Sequence, residues 1–514
     1  MKLALSYKIP EIDAFAAEKL GISHKELMHR SGEAVAKAVR ERVPKDKKII
    51  LLAGKGNNGG DGYASAIELA NEYKIKIYDM FSAGQKSDEG KFFLDKAREA
   101  GIEIIPYSDF EPLCRDIDEC GCIVDAIFGT GFLGDMPEFL RPIAVFIREK
   151  VAIQKVAIDV PLGVNPDDGS ISEFVINATA TVCLGFIKPG IISYPARSYV
   201  GDIVYCDIGL PMDKVEEAFS FDYSMIDSEW TSKNLPKRES NSHKGSFGKL
   251  LLITGSERYR GAAHLSAEAA LRGGVGLVSF VGCDSLVSEL AVKYPEIIYH
   301  KKNISDANQE DISEIVELSK KHTATLIGSG SDNTPGLLSL TLALLDSEGG
   351  PIVLDADALN ALSSIGADGI RALKNAKREV IITPHPLEFA RISMTAVDSV
   401  QLHRLSAALK FSAENKLTLI LKGAGTITTD GKNTYINTTG SSALAKAGSG
   451  DVLAGLVGAI VAQLPSQPLN SSAVSVYLHA VAGQTLAGEF SSYGVTPSDL
   501  PKEIARTISM LENS

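Results

Sequence analysis

The sequence predicts an α/β protein built on two doubly wound sheets, one in each half of the chain. Three observations lead there. Short apolar runs bounded by glycine alternate with segments of helical periodicity, as expected of buried parallel strands wrapped by helices. Those runs end in turns that combine glycine with Asp, Asn, Lys or His, the place where an open α/β sheet seats its ligand. And 514 residues exceed what one hydrophobic core usually holds.

Composition limits the function classes. Hydrophobic content of 45% and charged content of 23% belong to a globular protein. With 52 basic against 64 acidic residues the net charge is −12, which argues against nucleic acid or an anionic membrane as partner. Phosphate-bearing ligands must then be met by backbone N–H groups and single lysines. The cysteines at 114, 120, 122, 183, 206 and 283 are scattered, and Cys120-Gly-Cys122 is neither a zinc nor a redox spacing, so free thiols are expected. Leu3-Ala4-Leu5 is too short for a signal-peptide core, and the run Val452 to Leu464 falls short of the about 20 residues that cross a bilayer. A cytosolic protein, assembled as a homo-oligomer, is the expectation.

In the first half, residues 11 to 43 read as two helices, with Leu27, Met28, Val35, Ala36 and Val39 at helical spacing and Pro44 as the stop. The strand Lys48 to Ala53 empties into Gly54-Lys-Gly-Asn57-Asn58-Gly59-Gly60-Asp61-Gly62, read as a nine-residue loop before a helix from Tyr63 to Tyr73. It is neither Gly-x-Gly-x-x-Gly nor a Walker loop; its Asn and Asp oxygens suit a hydroxylated ligand or a hard cation. Further strands are expected at Ile75–Met80, Ile102–Ile105, Cys122–Ala126 and Val156–Ile158. Acid-bearing turns follow at Asp125 to Asp135 and Asp159-Val-Pro161-Leu162-Gly163, and Lys188 lies just past another strand. Such turns would converge on one crevice.

Asn57-Asn58-Gly-Gly-Asp61, Phe128-Gly-Thr-Gly131, Asp159-x-Pro161 and Lys188-Pro-Gly190 together resemble the NAD(P)H-hydrate epimerase domain, with a Rossmann-like fold over residues 1–211. The resemblance implies substrate binding by Asn57, Asn58, Gly59, Gly60, Asp61, Gly129, Thr130, Gly131, Phe132, Leu133, Gly134, Asp135 and Asp159. It implies a potassium ion near Asn58, Asp125 and Leu162, the last in place of the family's usual Ser, so through its backbone carbonyl. It makes Asp159 and Lys188 the acid/base pair, which suits inversion of a hydroxyl-bearing carbon beside a ring nitrogen.

Periodicity fades from Pro211 to about Lys244, so residues 212–224 are expected as a linker and 225–514 as the second domain. Trp230, the only Trp, would pack this joint onto one domain.

The second half repeats the alternation. Strands are expected at Lys249–Thr254, Leu277–Val281, Ala324–Ile327, Ile352–Leu354, Val380–Ile382 and Leu417–Leu421, with a hairpin over 426–438 turning at Asp430-Gly431. Their ends carry Gly328-Ser-Gly330-Ser, Asp355-Ala-Asp357, Thr383-Pro-His385-Pro386 and Lys422-Gly423-Ala424-Gly425-Thr426. His385 between prolines sits on a stiff turn. Asp355 and Asp357 either bind magnesium or cap the next helix. Lys422 can meet a phosphate as a point charge. Last comes Gly448-Ser449-Gly450-Asp451, opening an apolar helix: its free N–H groups suit a phosphate, and Asp451 either caps that helix or takes a proton from an attacking hydroxyl.

In this order the turns resemble the ribokinase-like fold. His243-Lys-Gly-x-x-Gly248, Tyr259-x-Gly261-Ala-Ala263, Thr383-Pro-His-Pro386 and Lys422-Gly-x-x-Thr426 are similar to ADP/ATP-dependent NAD(P)H-hydrate dehydratase. The resemblance implies that Ala263, Gly330, His385 and Asp451 face the hydrated nucleotide. It also implies that Lys422, Gly423, Ala424, Gly425, Thr426, Gly448, Ser449 and Gly450 hold ADP or ATP, with magnesium. Lys446, where the family has an uncharged segment, would add charge at the phosphates. The combined expectation is an enzyme that epimerises R and S hydrates of NADH or NADPH and dehydrates the S form at the expense of a nucleotide. A ribokinase-like kinase for a vitamin or sugar alcohol, with an accessory nucleotide-binding domain, is the alternative.

Overall fold

The computed structural model describes residues 1–132 and 135–513. The chain forms two compact units, Lys2–Tyr223 and, with Met1, Ser224–Ser514.

The first unit holds a seven-stranded sheet. Its strands are β1 (Lys48–Ala53), β2 (Lys74–Asp79), β3 (Glu103–Pro106), β4 (Cys122–Ala126), β5 (Gln154–Ile158), β6 (Ala180–Leu184) and β7 (Asp202–Cys206). They lie in the order β3-β2-β1-β4-β5-β6-β7, and every pairing is parallel. The uniform apolarity of β1 has a direct cause. Ile49 and Leu51 enter a cluster with Val35, Val39 and Tyr63 on one face, while Ile50 and Leu52 enter one with Leu113, Leu140 and Ile143 on the other. The chain reverses direction between β1 and β4, so the loops after these two strands flank a crevice at their carboxyl ends.

Two expectations are corrected here. The helix after β1 runs Asn57–Leu69, so the loop is only Gly54-Lys55-Gly56. Its glycines serve close approach: a Cβ on Gly59 would lie 2.2 Å from the Gly54 carbonyl oxygen, and one on Gly62 2.7 Å from the Ala126 methyl. The stretch expected as a linker is folded as well. Residues Met212–Ala218 form a helix whose Val215 is buried with Ile12, Leu27, Ile208 and Leu210.

The strands of the second unit include β8 (Lys249–Ile253), β9 (Leu277–Gly282), β10 (Ile298–Lys301), β11 (Ala324–Ile327), β12 (Ile352–Leu354), β13 (Val380–Ile382), β14 (Thr418–Leu421), β15 (Ile427–Thr429) and β16 (Thr434–Ile436). They lie in the order β16-β15-β14-β13-β12-β11-β8-β9-β10, parallel from β14 to β10, with β15 and β16 added antiparallel. The reversal falls between β8 and β11. Helix Ser449–Gln463 is apolar all round because both its sides are covered. Leu453, Val457 and Val461 face the sheet cluster, and Val452, Leu456 and Ile460 face a helical layer with Val474, Leu478 and Ile504. Trp230 packs on Tyr435 within this unit, ring centroids 4.6 Å apart and the planes tilted by 48°. All six cysteines are free thiols, and among the described residues no helix is long and apolar enough to cross a membrane.

Candidate functional sites

In the first unit a cavity of about 480 Å³ opens at the reversal of the sheet. Asn57, Asn58 and Asp61 reach it from the start of helix Asn57–Leu69, Gly129, Thr130 and Gly131 from the loop after β4, Asp159 from the end of β5, and Lys188 from beyond β6. Lys188 is completely buried and forms an ion pair with Asp159. Asp159 holds φ 66°, a left-handed backbone that a non-glycine residue adopts at a cost, and its carboxylate also accepts from the Leu184 amide at 3.3 Å. Strain and a buried charge pair at a cavity wall are features of a functional site rather than of a cap.

Not every expected residue joins this cavity. Phe132 and Asp135 line a separate one of about 750 Å³ with Met136, Arg141 and Glu173; Leu133 and Gly134 lie outside the described residues. Gly59 and Gly60 are buried in the first helical turn, where a Cβ on Gly60 would lie 2.5 Å from the Met28 sulfur.

Asp125 and Leu162 are not among the residues that line this cavity. The Leu162 amide donates to one Asp125 carboxylate oxygen at 2.7 Å and the Ile127 amide to the other at 3.2 Å. Burial pushes the Asp125 carboxyl up to about 6, with no side-chain cation opposing it. Asn58 is buried against Gly129 and leaves its amide nitrogen without a partner. The Leu162 carbonyl accepts from the Ile176 amide at 3.1 Å, which leaves one lone pair.

Ser31, His24 and Asp13 are among the lining residues that escaped the sequence reading. Ser31 hydrogen-bonds Asp61, and burial holds that carboxyl well above its usual range, with Asp159 and Asp13 adding to the effect. His24 and Asp13 also line it. Burial pushes Asp13 up to about 6. The sequence does carry a signal for it: Asp13 falls on the stripe Ile9, Ile12, Ala16, an acid where helical spacing calls for an apolar side chain.

The second unit gathers its acids around Lys422. The Lys422 ammonium lies 2.9 Å from Asp355 and 3.9 Å from Glu388. Asp355 also accepts from the Thr383 hydroxyl at 2.7 Å and the Ser329 hydroxyl at 2.8 Å. Asp355 stands at the N-cap position of helix Ala356–Ser364, but its side chain caps no helix amide and is engaged by Lys422, Thr383 and Ser329 instead. Asp357 accepts the Asp332 amide at 3.0 Å, and among the described residues no group of three or more His, Cys, Asp or Glu could hold a metal ion. Burial alone would lower the Lys422 pKa, but the Asp355 and Glu388 carboxylates outweigh it and hold the ammonium charged.

His385 caps helix Pro386–Ile392, its Nδ1 accepting from the Leu387 and Glu388 amides while Glu388 accepts the His385 amide at 2.8 Å. Its Nε2 lies 3.3 Å from Glu388, and the imidazole pKa is lowered by burial and then by Lys422. The turn after β14 is closed by the Thr426 hydroxyl on the Gly423 carbonyl at 2.8 Å, with φ of 137° at Gly423 and 64° at Gly425.

Asp451 stands in the first turn of helix Ser449–Gln463 and is not its cap; that position is Gly448, at φ 103°. The amides of Gly450 and Asp451 therefore open the helix with no side chain over them. A Cβ on Gly450 would lie 3.4 Å from the Lys422 nitrogen, so the ammonium and the helix start share one spot. Burial pushes Asp451 up to about 7, Asp355 adds to this and Lys422 opposes it. Beneath it lies His479, unremarked in the sequence, whose Nε2 donates to the Ser449 carbonyl at 3.1 Å; burial pushes its pKa down to about 4 and keeps it neutral.

Two expected contributors play other parts. Ala263 is completely buried, its methyl against Gly255, and offers a ligand no side chain. Lys446 donates to the Tyr493 and Val495 carbonyls instead of facing a phosphate. Gly330, at φ 60°, packs on Ala262 and Tyr259 beside Ser329.

Comparison with known proteins agrees with this division. Residues 250–506 match the family described as NAD(P)H-hydrate dehydratase, and residues 24–190 match the YjeF-related protein N-terminus. The bifunctional NAD(P)H-hydrate repair enzyme of Moorella thermoacetica is 31% identical, covering 97% of this chain and 95% of its own. That of Coxiella burnetii is 30% identical, with 96% of each chain covered. A solved ribokinase-like superfamily protein from Enterococcus faecalis superposes with a TM-score of 0.50 at 22% identity, covering 58% of this chain and 99% of its own, a likeness of fold.

Proposed function

The chain belongs to the bifunctional NAD(P)H-hydrate repair enzymes, and from that premise we propose how its two sites divide the work. The first unit interconverts the R and S hydrates of NADH or NADPH, and the second dehydrates the S form with ADP or ATP. The expectation of a vitamin or sugar-alcohol kinase is set aside, because the alignment spans 97% of this chain and so both units.

The observation that carries the assignment of residues is a buried proton-handling group in each unit. In the first unit these are Asp159 and Lys188, paired in the cavity wall. In the second it is Asp451, pushed up to about 7 beside uncapped helix amides and a charged lysine. Asp159 and Lys188 move protons at the hydroxyl-bearing ring carbon, whose inversion requires the C–O bond to break and re-form on the other face. Asn57, Asn58, Asp61, Gly129, Thr130 and Gly131 hold the nucleotide around it.

In the second unit Asp451 accepts the proton of the ring hydroxyl as its oxygen attacks the terminal phosphorus of the donor. The new O–P bond forms as the bond to the leaving nucleotide breaks. Phosphate then departs with the C–O electron pair, a proton leaves the neighbouring ring carbon, and the dihydronicotinamide double bond is restored. The amides of Gly450 and Asp451, with Lys422, stabilise the charge on the transferring group. His385 and Gly330 border the substrate, and the turn Lys422–Thr426 with Gly448 and Ser449 borders the donor.

Potassium would be held by Asn58, Asp125 and the Leu162 carbonyl. The fit rests on a buried carboxyl with no cation beside it, and the ion would supply a fixed positive charge under the loop after β4. Magnesium is assigned to the donor phosphates. A cytosolic setting suits six free thiols. Self-association into a homo-oligomer is tested by light scattering. The residue roles are tested by following epimer exchange and dihydronicotinamide recovery separately in Asp159→Ala and Asp451→Asn. Each should lose one activity and keep the other; loss of neither refutes the assignment.

A further inference from the structure

Epimerisation presents a problem that the Asp159–Lys188 pair does not solve alone. A hydroxyl must leave one face of the carbon with a proton, and water must add to the other face and give one up. The two faces call for two proton carriers, yet Asp159 and Lys188 are bound to each other and form one group.

A second carrier is available in the same cavity. Asp13 comes from helix Lys8–Lys19, an element distinct from those that supply Asp159 and Lys188. Among the described residues its carboxyl has no hydrogen-bond or ion-pair partner, although it lies close enough to His24, Lys188 and Asp159 to feel their charges. Neighbouring Asp61 is already committed to Ser31. An unpaired carboxyl on an otherwise apolar helical stripe has no structural duty, and burying part of it without a partner costs stability.

We propose that Asp13 is a catalytic residue of the epimerase site, carrying the proton for one face of the ring carbon while the Asp159–Lys188 pair serves the other. In one direction the Asp13 carboxyl gives its proton to the departing hydroxyl, which leaves as water with the C–O electron pair while the ring nitrogen lone pair forms a C=N bond. Water then adds on the opposite face, the C=N pair returns to nitrogen, and the proton released goes to the Asp159–Lys188 pair. The reverse direction exchanges the roles, and between turnovers in one direction the pair releases its proton to solvent and Asp13 takes one up, so atoms and charge balance. Burial places Asp13 near 6, where both its forms are populated close to neutrality. The groups that share the cavity wall with it are His24, Lys55, Asp61, Glu89, Asp159 and Lys188.

The inference rests on this cavity being the epimerase site, and the test separates the two. Exchange between the R and S hydrates is followed by chromatography in full-length wild type, Asp13→Asn, Asp13→Glu and Asp159→Asn, each with a pH profile and a thermal unfolding curve. Asp13→Asn should lower kcat about 100-fold with KM little changed and abolish the inflection near pH 6. Asp13→Glu, which keeps a carboxyl, should recover part of the rate. Wild-type exchange in Asp13→Asn, a loss confined to KM, or no recovery in a folded Asp13→Glu overturns the proposal while Asp159→Asn remains inactive. Wild-type exchange in both Asp13→Asn and Asp159→Asn overturns the assignment of the cavity as well.

Discussion

Replacing Asp451 by Asn keeps the volume of the side chain and removes only its capacity to accept a proton. Asp451 sits in the first turn of Ser449–Gln463, pushed up to about 7 by burial and by Asp355. A general base contributes about 100- to 10,000-fold, or roughly 3–5 kcal/mol of barrier at about 1.4 kcal/mol per decade. The expected loss therefore falls in kcat for dehydration of the S hydrate, with KM nearly unchanged, because Lys422 and the helix amides still hold the phosphates. The sign of the pH dependence follows from the same placement. The working form is the carboxylate, so the wild-type rate should climb as pH rises through about 7 and level above it, whereas Asp451→Asn should show no such rise. The assay is recovery of dihydronicotinamide absorbance with ADP or ATP in excess. A variant within a few-fold of wild type, or one whose whole loss lies in KM, refutes the role given to Asp451.

Other perturbations carry equally definite expectations. Lys188→Met leaves Asp159 in the cavity wall without its cation, so epimer exchange should fall about 100-fold while dehydration of pure S hydrate continues; equal loss of both activities counts against two separate sites. Lys422→Met strands Asp355, only 1% exposed, without its cation, which should cost about 3–5 kcal/mol in denaturant unfolding; an unchanged midpoint contradicts the buried pair. Gly455→Val drives a side chain into helix Arg260–Arg272, since a Cβ there would stand 2.3 Å from the Ser266 carbonyl oxygen, and about 1–3 kcal/mol should be lost; wild-type stability would mean the helices are not in contact.

What the sequence makes legible follows from the physics of each element. β11, β12 and β13 are recognisable to the residue because strands covered on both faces have no polar position to blur their ends. β10 goes unrecognised, because an edge strand half open to solvent, Ile298-Tyr-His-Lys301, keeps no such run. Helix Asn57–Leu69 hides its beginning for a different reason. Its glycines let it press onto Gly54 and Ala126, and nothing local distinguishes glycine chosen for closeness from glycine chosen for a turn. Helix Met212–Ala218 offers a single buried side chain, Val215, too little periodicity to stand out from a linker.

The candidate sites divide in the same way. Asp159 and Lys188, which follow successive strands of one parallel sheet, are legible because topology sends both to its carboxyl edge. Partner choice is not. Asp355 and Lys422 stand 67 residues apart, and only the adjacency of β12, β13 and β14 brings them within 2.9 Å. His479 is invisible for the same reason, since its meeting with Ser449 depends on how two helices cross.

The central claim is that one chain carries both an epimerase and a nucleotide-dependent dehydratase. It is tested most directly by incubating an equilibrated mixture of R and S hydrates with the full-length protein and ADP or ATP. Dihydronicotinamide should be recovered from the whole mixture, with the R fraction drawn through the first site as the second consumes S. Recovery that stops at the S fraction would contradict a working epimerase, and recovery with neither nucleotide would contradict the account as a whole.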